Sequence, residues 1–181
     1  MRDHVAGPFH ELIDGGGRLD GEPCQGGPMS TSLIDAVATQ EQTLLRELSA
    51  GAAVSGGIGA GLWAWAVAQR RPAAAAFGRQ TLAWAVIDGL IALAGRRGVA
   101  SPPTDTASAL ARARRMRNVT AVNAVLDVGY VAGGLALTRW SRAPRATRVA
   151  DGTAVAIQGA FLLWLDARHA LHFARLARPS D

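Results

Sequence analysis

The chain has 181 residues, of which 49% are apolar and only 18% charged, against about 25% charged in ordinary soluble domains. All 19 basic residues are arginine, and most lie between long apolar runs rather than interleaved with aromatics on one surface, which argues against nucleic-acid binding. The length fits one domain, and the single cysteine, Cys24, excludes an intrachain disulfide and a cysteine-based zinc site.

Residues 1–29 are rich in Gly, Pro, Asp and Glu and show no sustained periodicity, so they read as a disordered extension. The first 30 residues also lack the apolar core of a cleavable signal peptide. Gly26-Gly27-Pro28 stands just before Met29. Paired glycine codons ahead of a methionine resemble a ribosome-binding site, so translation is expected to start at Met29. Residues 30–49 then carry helical rhythm. Leu33, Ile34, Val37, Leu44, Leu45 and Leu48 fall mainly on one stripe, and Ser32 with Asp35 is a plausible N-terminal cap. This predicts an amphipathic helix that either lies along a membrane interface or extends the span that follows.

Four apolar segments come next. The first, Leu48 to Gln69, has no charge in 22 residues, roughly 33 Å of helix against a hydrocarbon core of about 30 Å. The second runs from Ala73 to Gly95, interrupted by Arg79 and Asp88. The third runs from Asn118 to Thr138 around Asp127, and the fourth from Gly152 to Leu171 with Asp166, Arg168 and His169 toward its end. The expected fold is all-α: a four-helix transmembrane bundle of up-down topology over residues 50–175, preceded by the amphipathic helix and followed by a short tail, 176–181. Trp63, Trp65 and Trp140 sit near span ends on what would be one membrane face. Gly57-x-x-x-Gly61 and Gly129-x-x-x-Gly133 have the spacing of close helix packing.

Orientation follows from the arginines. From Met29 onward and with the N-terminus inside, ten fall on the cytosolic side, six of them between the second and third spans, and seven on the other. That places both termini in the cytosol of a bacterium, with the chain in its cytoplasmic membrane. Ser108–Arg117, within the loop between spans two and three, is expected to form a short basic helix on the lipid surface.

An ionisable group within a span is costly and faces the bundle interior. Asp88 lies eight residues before Arg96, about 12 Å from that end; Asp127 lies ten after Arg117, about 15 Å from the same face; Asp166 lies about 8–14 Å from it on the returning fourth helix. Up-down topology therefore sets three carboxyls at comparable depth, where they cannot all be ionised cheaply. Asn123, Tyr130, Gln158, Arg168 and His169 complete the expected polar cluster. Thr81-Leu-Ala-Trp-Ala-Val-Ile-Asp88 and Thr120-Ala-Val-Asn-Ala-Val-Leu-Asp127 match at four positions; because the flanks do not continue the match, composition explains it.

Asp166-x-x-His169 has the spacing of bundle metal ligands but no second pair, so neither metal nor cofactor is expected. His169 and His172 are expected to meet terminal carbonyls or lipid headgroups. Phosphate-loop, zinc-protease and nucleophile-elbow motifs are absent, which disfavours an enzyme. Two readings remain. In one, the polar cluster fixes helix packing in a protein that associates with the bilayer, a second copy or a membrane partner; in the other, the aspartates serve a small proton- or cation-coupled carrier.

Three stretches, Gln80-Thr-Leu-Ala-Trp-Ala-Val-Ile-Asp88, Asn123-Ala-Val-Leu-Asp-Val-Gly-Tyr130 with Gly133, and Gln158-Gly-Ala-Phe-Leu-Leu-Trp-Leu-Asp166, resemble an uncharacterised family of small bacterial four-span membrane proteins. The resemblance covers about residues 50–172 and implies a four-helix membrane fold with no known activity.

Overall fold

Long runs of Ala and Leu favour helix, and proline is kept to the borders. Pro72 opens the second helix, Pro102 and Pro103 fall in a loop, and Pro144 directly precedes the fourth. The structure, a computed structural model, describes residues 28–140 and 144–178, with side chains from Ser32 onward. The readings of residues 1–27 and 179–181 fall outside that description. Within it the chain is all-α, with helices α1 (Pro28–Ala68), α2 (Pro72–Val99), α3 (Thr106–Trp140) and α4 (Arg145–Leu176), and no strand.

Several boundaries differ from expectation. The amphipathic segment and the first apolar run form one helix of 41 residues, about 61 Å long. Nothing between Leu45 and Ala52 breaks a helix except Gly51, so the segment extends the apolar run and does not lie apart from it. Ser32 lies inside this helix rather than capping it. The expected basic helix 108–117 is likewise the first part of α3, leaving only Ala100–Asp105 as the connection. Asp105 starts α3: its Oδ1 accepts the Ser108 N–H at 2.8 Å, and its own N–H reaches Ser108 Oγ at 3.3 Å, a reciprocal cap. At the other end of the molecule, Arg70 holds φ of 54°, and the Arg71 N–H closes the last turn of α1 on the Ala66 carbonyl at 2.8 Å.

The helices pack as two hairpins, α1 with α2 and α3 with α4, joined chiefly by α2 against α4 and by α1 against α3 and α4. The backbones of α2 and α3 nowhere meet. The closest approaches are between glycine-bearing faces. A Cβ on Gly59 would lie 2.6 Å from the Leu82 amide nitrogen and 2.9 Å from the Gly78 carbonyl oxygen; one on Gly134 would lie 2.6 Å from the Ala156 nitrogen and 2.7 Å from the Gly152 oxygen. The motifs expected to do this, Gly57/Gly61 and Gly129/Gly133, face open space instead. Spacing within one helix says nothing about which face a neighbour covers.

Leu44, Leu48, Ala92, Leu162, Leu165 and Phe173 form the main core, and Val37, Ala113 and Ala177 a second one nearer the start of α1. Beside the second core, Arg112 of α3 donates from Nε to Glu41 of α1 at 2.6 Å and from its two Nη atoms to the Ser101 and Gly98 carbonyls. This polar collar ties α1, α3 and the α2–α3 loop together at one end. Two of the helices, α1 from Ser32 and α3, are long and apolar enough to cross a membrane by length and composition. The other two carry charges within their apolar stretches: Arg79 and Asp88 in α2, Asp166 and Arg168 in α4.

Candidate functional site

Where α2 and α3 diverge, a cavity of about 450 Å³ opens between them, floored by α4 and by the Leu44–Leu48 turn of α1. Its walls are aliphatic, and Asp88, Asp127 and Asp166 all line it. The helix rise that put the three carboxyls at one depth in sequence does so in the fold, and helical phase turns each inward: Asp88 is 1% exposed, Asp127 3% and Asp166 9%.

Each carboxyl has different company. Gln158 of α4 donates from Nε2 to Asp88 Oδ2 at 2.6 Å. The Asp166 carboxyl lies close enough to the side chains of Asn123 and Asp127 to interact with both. Buried carboxyls this close together cannot all be ionised cheaply, which favours a proton held among them. Asp127 Oδ2 is buried and has no hydrogen-bond partner among the described residues, and the same holds for the indole Nε1 of Trp84. No basic side chain lines the cavity among the described residues. Tyr130 lies at the rim, its ring edge-on to Trp84 with centroids 4.8 Å apart, a contact that bridges α2 and α3. Thr120, fully buried in the lining, directs its hydroxyl to the Met116 carbonyl at 2.9 Å.

Six of the expected residues thus gather around Asp127: Asp88, Asn123, Asp127, Tyr130, Gln158 and Asp166. Arg168 and His169 belong to a second group, formed with α1. His169 is 1% exposed, with Nδ1 against Gln40 Nε2 at 2.7 Å and Nε2 against Glu47 Oε2 at 3.0 Å. Arg168 pairs with the same Glu47 oxygen and lies 4.4 Å over the Trp164 ring. The histidine therefore bonds half-buried side chains of α1, not terminal carbonyls or headgroups. His172 stays exposed, its Nδ1 3.3 Å from Gln40 Oε1.

Glu47, Gln40, Trp84 and Thr120 were not singled out in the sequence. Trp84 and Thr120 had a signal there: each stands in one of the two stretches that end in Asp88 and Asp127. Gln40 and Glu47 had none, because their partner lies more than 120 positions away. No group of three or more His, Cys, Asp or Glu among the described residues is arranged to hold a metal ion.

Fold and cavity together define a protein of four long helices organised around a buried acidic cluster. Residues 47–167 match the family described as "Family of unknown function (DUF6992)", and the chain belongs to that family. The matched stretch includes all three aspartates, Asn123, Tyr130 and Gln158, begins at Glu47 and stops one residue short of Arg168. No curated protein and no solved structure matches the chain.

Proposed function

We propose that this is a four-span protein of the bacterial cytoplasmic membrane, with both termini cytosolic, and that it works as a small carrier in which the three aspartates exchange a proton for a cation. Its exterior supports the membrane reading. Val54, Ile58, Val86, Leu90, Val122 and Val125 are each more than half exposed, far more contiguous apolar surface than a soluble monomer leaves in water. Trp63, Trp65 and Trp140 are exposed at the end where α1 and α3 finish, as interfacial anchors are. In that setting α2 and α4 cross as well, their charges turned inward or held near the ends: Arg79 pairs with Asp151 at 3.5 Å near the start of both helices.

The observation that carries the carrier reading is the state of the polar cluster. A network whose role is to lock helices together closes its polar groups on one another. Here three carboxyls surround open volume, and among the described residues one of their oxygens is left without a partner and no cation lines the cavity to answer them. A carboxyl pair that shares a proton can release it when a positive charge arrives.

The test is proton release in vesicles. Wild type, Asp88→Asn and Asp127→Asn are reconstituted with a trapped pH dye, and gradients of alkali, ammonium and alkylammonium cations are imposed. At least one cation is expected to drive proton movement in wild type, and Asp127→Asn to abolish it while eluting as folded protein in detergent. No proton movement with any cation, or equal movement in the variants, defeats the proposal. A chain that stays monodisperse in water without detergent defeats the membrane reading beneath it.

A further inference from the structure

We infer that the cavity takes a hydrophobic organic cation, a positive charge carried on an apolar body, and admits it sideways through the seam between α2 and α3. This rests on the carrier reading above and adds the class of substrate and its route.

Volume comes first. About 450 Å³ lies within the roughly 300–1,000 Å³ of pockets for small organic ligands, and a single ion fills only a small part of it. An inorganic cation such as Ca²⁺ also wants a shell of about six to eight oxygens. Most of the wall here is instead Leu, Ile, Val, Met and aromatic side chains, with three carboxyls as its only charged groups among the described residues. A bare ion would leave most of the space empty and dry, whereas an alkyl or aromatic body would fill it.

Charge comes second. Three buried carboxyls without a basic side chain in the lining specify the sign of the guest. The partnerless Oδ2 of Asp127, a residue 97% buried, is the acceptor still free to meet it. The Trp84–Tyr130 pair at the rim adds aromatic surface, which attracts cations.

The route comes third. Because the α2 and α3 backbones do not touch, their facing residues form the mouth. Ile87 and Ile91 on α2 and Val119 and Leu126 on α3 all line the cavity and are all about half exposed. In a four-span protein this mouth opens onto lipid rather than onto water. A hydrated ion has no path there, while a lipophilic cation already concentrated in the bilayer does.

Tetraphenylphosphonium is a suitable probe, with triphenylphosphine oxide as a neutral compound of similar build. Binding to the purified full chain in detergent is measured by equilibrium dialysis, alongside proton release. The phosphonium is expected to bind saturably, to bind more tightly as pH rises, and to release protons, while the neutral compound does not bind. Asp127→Asn is expected to weaken binding about thirtyfold or more, as loss of a buried charge partner does. Leu126→Trp, a change at a half-exposed position that spares the acidic cluster, is expected to slow phosphonium uptake by narrowing the mouth. Binding equal to detergent alone, equal binding of the neutral compound, or no effect of either substitution overturns the inference. If sodium or potassium releases protons and the phosphonium does not, this inference fails and the carrier reading stands. If no cation releases protons, both fail.

Discussion

Gly134 offers a sharp test of the packing. A methyl group placed there would lie 2.6 Å from the Ala156 nitrogen, 2.7 Å from the Gly152 oxygen and 3.0 Å from the Ala156 Cα, all backbone atoms of α4. Ordinary contact begins near 3.4 Å, so α3 and α4 must part locally by about 0.8 Å, a gap that forfeits roughly a quarter to half of each atom-pair attraction along the seam. Backbone cannot rotate aside as a side chain does, so Gly134→Ala is expected to destabilise the protein by about 1–3 kcal/mol, the usual cost of overpacking. Gly133 is the internal control. A methyl there meets nothing within 4 Å, and alanine gains up to about 1 kcal/mol in helix propensity. Unfolding of both variants in mixed micelles by SDS titration, read by far-ultraviolet circular dichroism, should give midpoints on opposite sides of wild type. A Gly134→Ala protein as stable as wild type, or a Gly133→Ala protein as unstable as Gly134→Ala, refutes the seam described above.

Further outcomes follow from the collar and the helix ends. Arg112→Gln strands Glu41, which is 4% exposed; a loss of about 3–5 kcal/mol is expected in the same titration, with most of it recovered when Glu41→Gln is added. Arg70→Gly relieves a left-handed backbone at φ 54° and should raise stability by about 0.5–1 kcal/mol; a lowered midpoint contradicts the turn geometry. The Ser108 N–H bonded to Asp105 holds that carboxyl below its ordinary value of 3.8. Its capping contribution is therefore complete above pH 3.8 and is lost as pH falls from there toward the lower folded value. Amide protection in the first turn of α3 should fall in acid in wild type and stay level in Asp105→Asn, which keeps an acceptor but cannot be protonated.

How far the sequence could be read depended on whether a feature was local. Four long apolar runs announced four helices, and a fixed rise of about 1.5 Å per residue was enough to level Asp88, Asp127 and Asp166. Helix borders were harder. Leu48 looked like a junction because the pattern changes from amphipathic to uniformly apolar there, yet a change of solvent does not interrupt backbone hydrogen bonding, and α1 runs straight through. The same error made a separate helix of Ser108–Arg117, although Asp105 and Ser108 together spelled a cap three residues earlier. Features that join distant positions were not legible. Gly59 meets Gly78 and Gly134 meets Gly152 because two helices share a face, and Glu47 meets His169 because α4 returns beside α1. The open side of the bundle, which gives the aspartates their cavity, left no trace in either flanking helix alone.

That open side also sets how the molecule can deform. α4 touches each of the other three helices and serves as a spine from which α2 and α3 stand apart. Swinging α2 and α3 apart breaks no backbone seam between them, but the Trp84 and Tyr130 rings must separate and the Arg112 bond to the Gly98 carbonyl must give. An aromatic pair holds by about 0.5–1.5 kcal/mol beyond its burial, roughly one to three times the thermal energy. The ring latch alone is weak on that scale, so the Arg112 collar at one end of the bundle sets how far α2 and α3 can part.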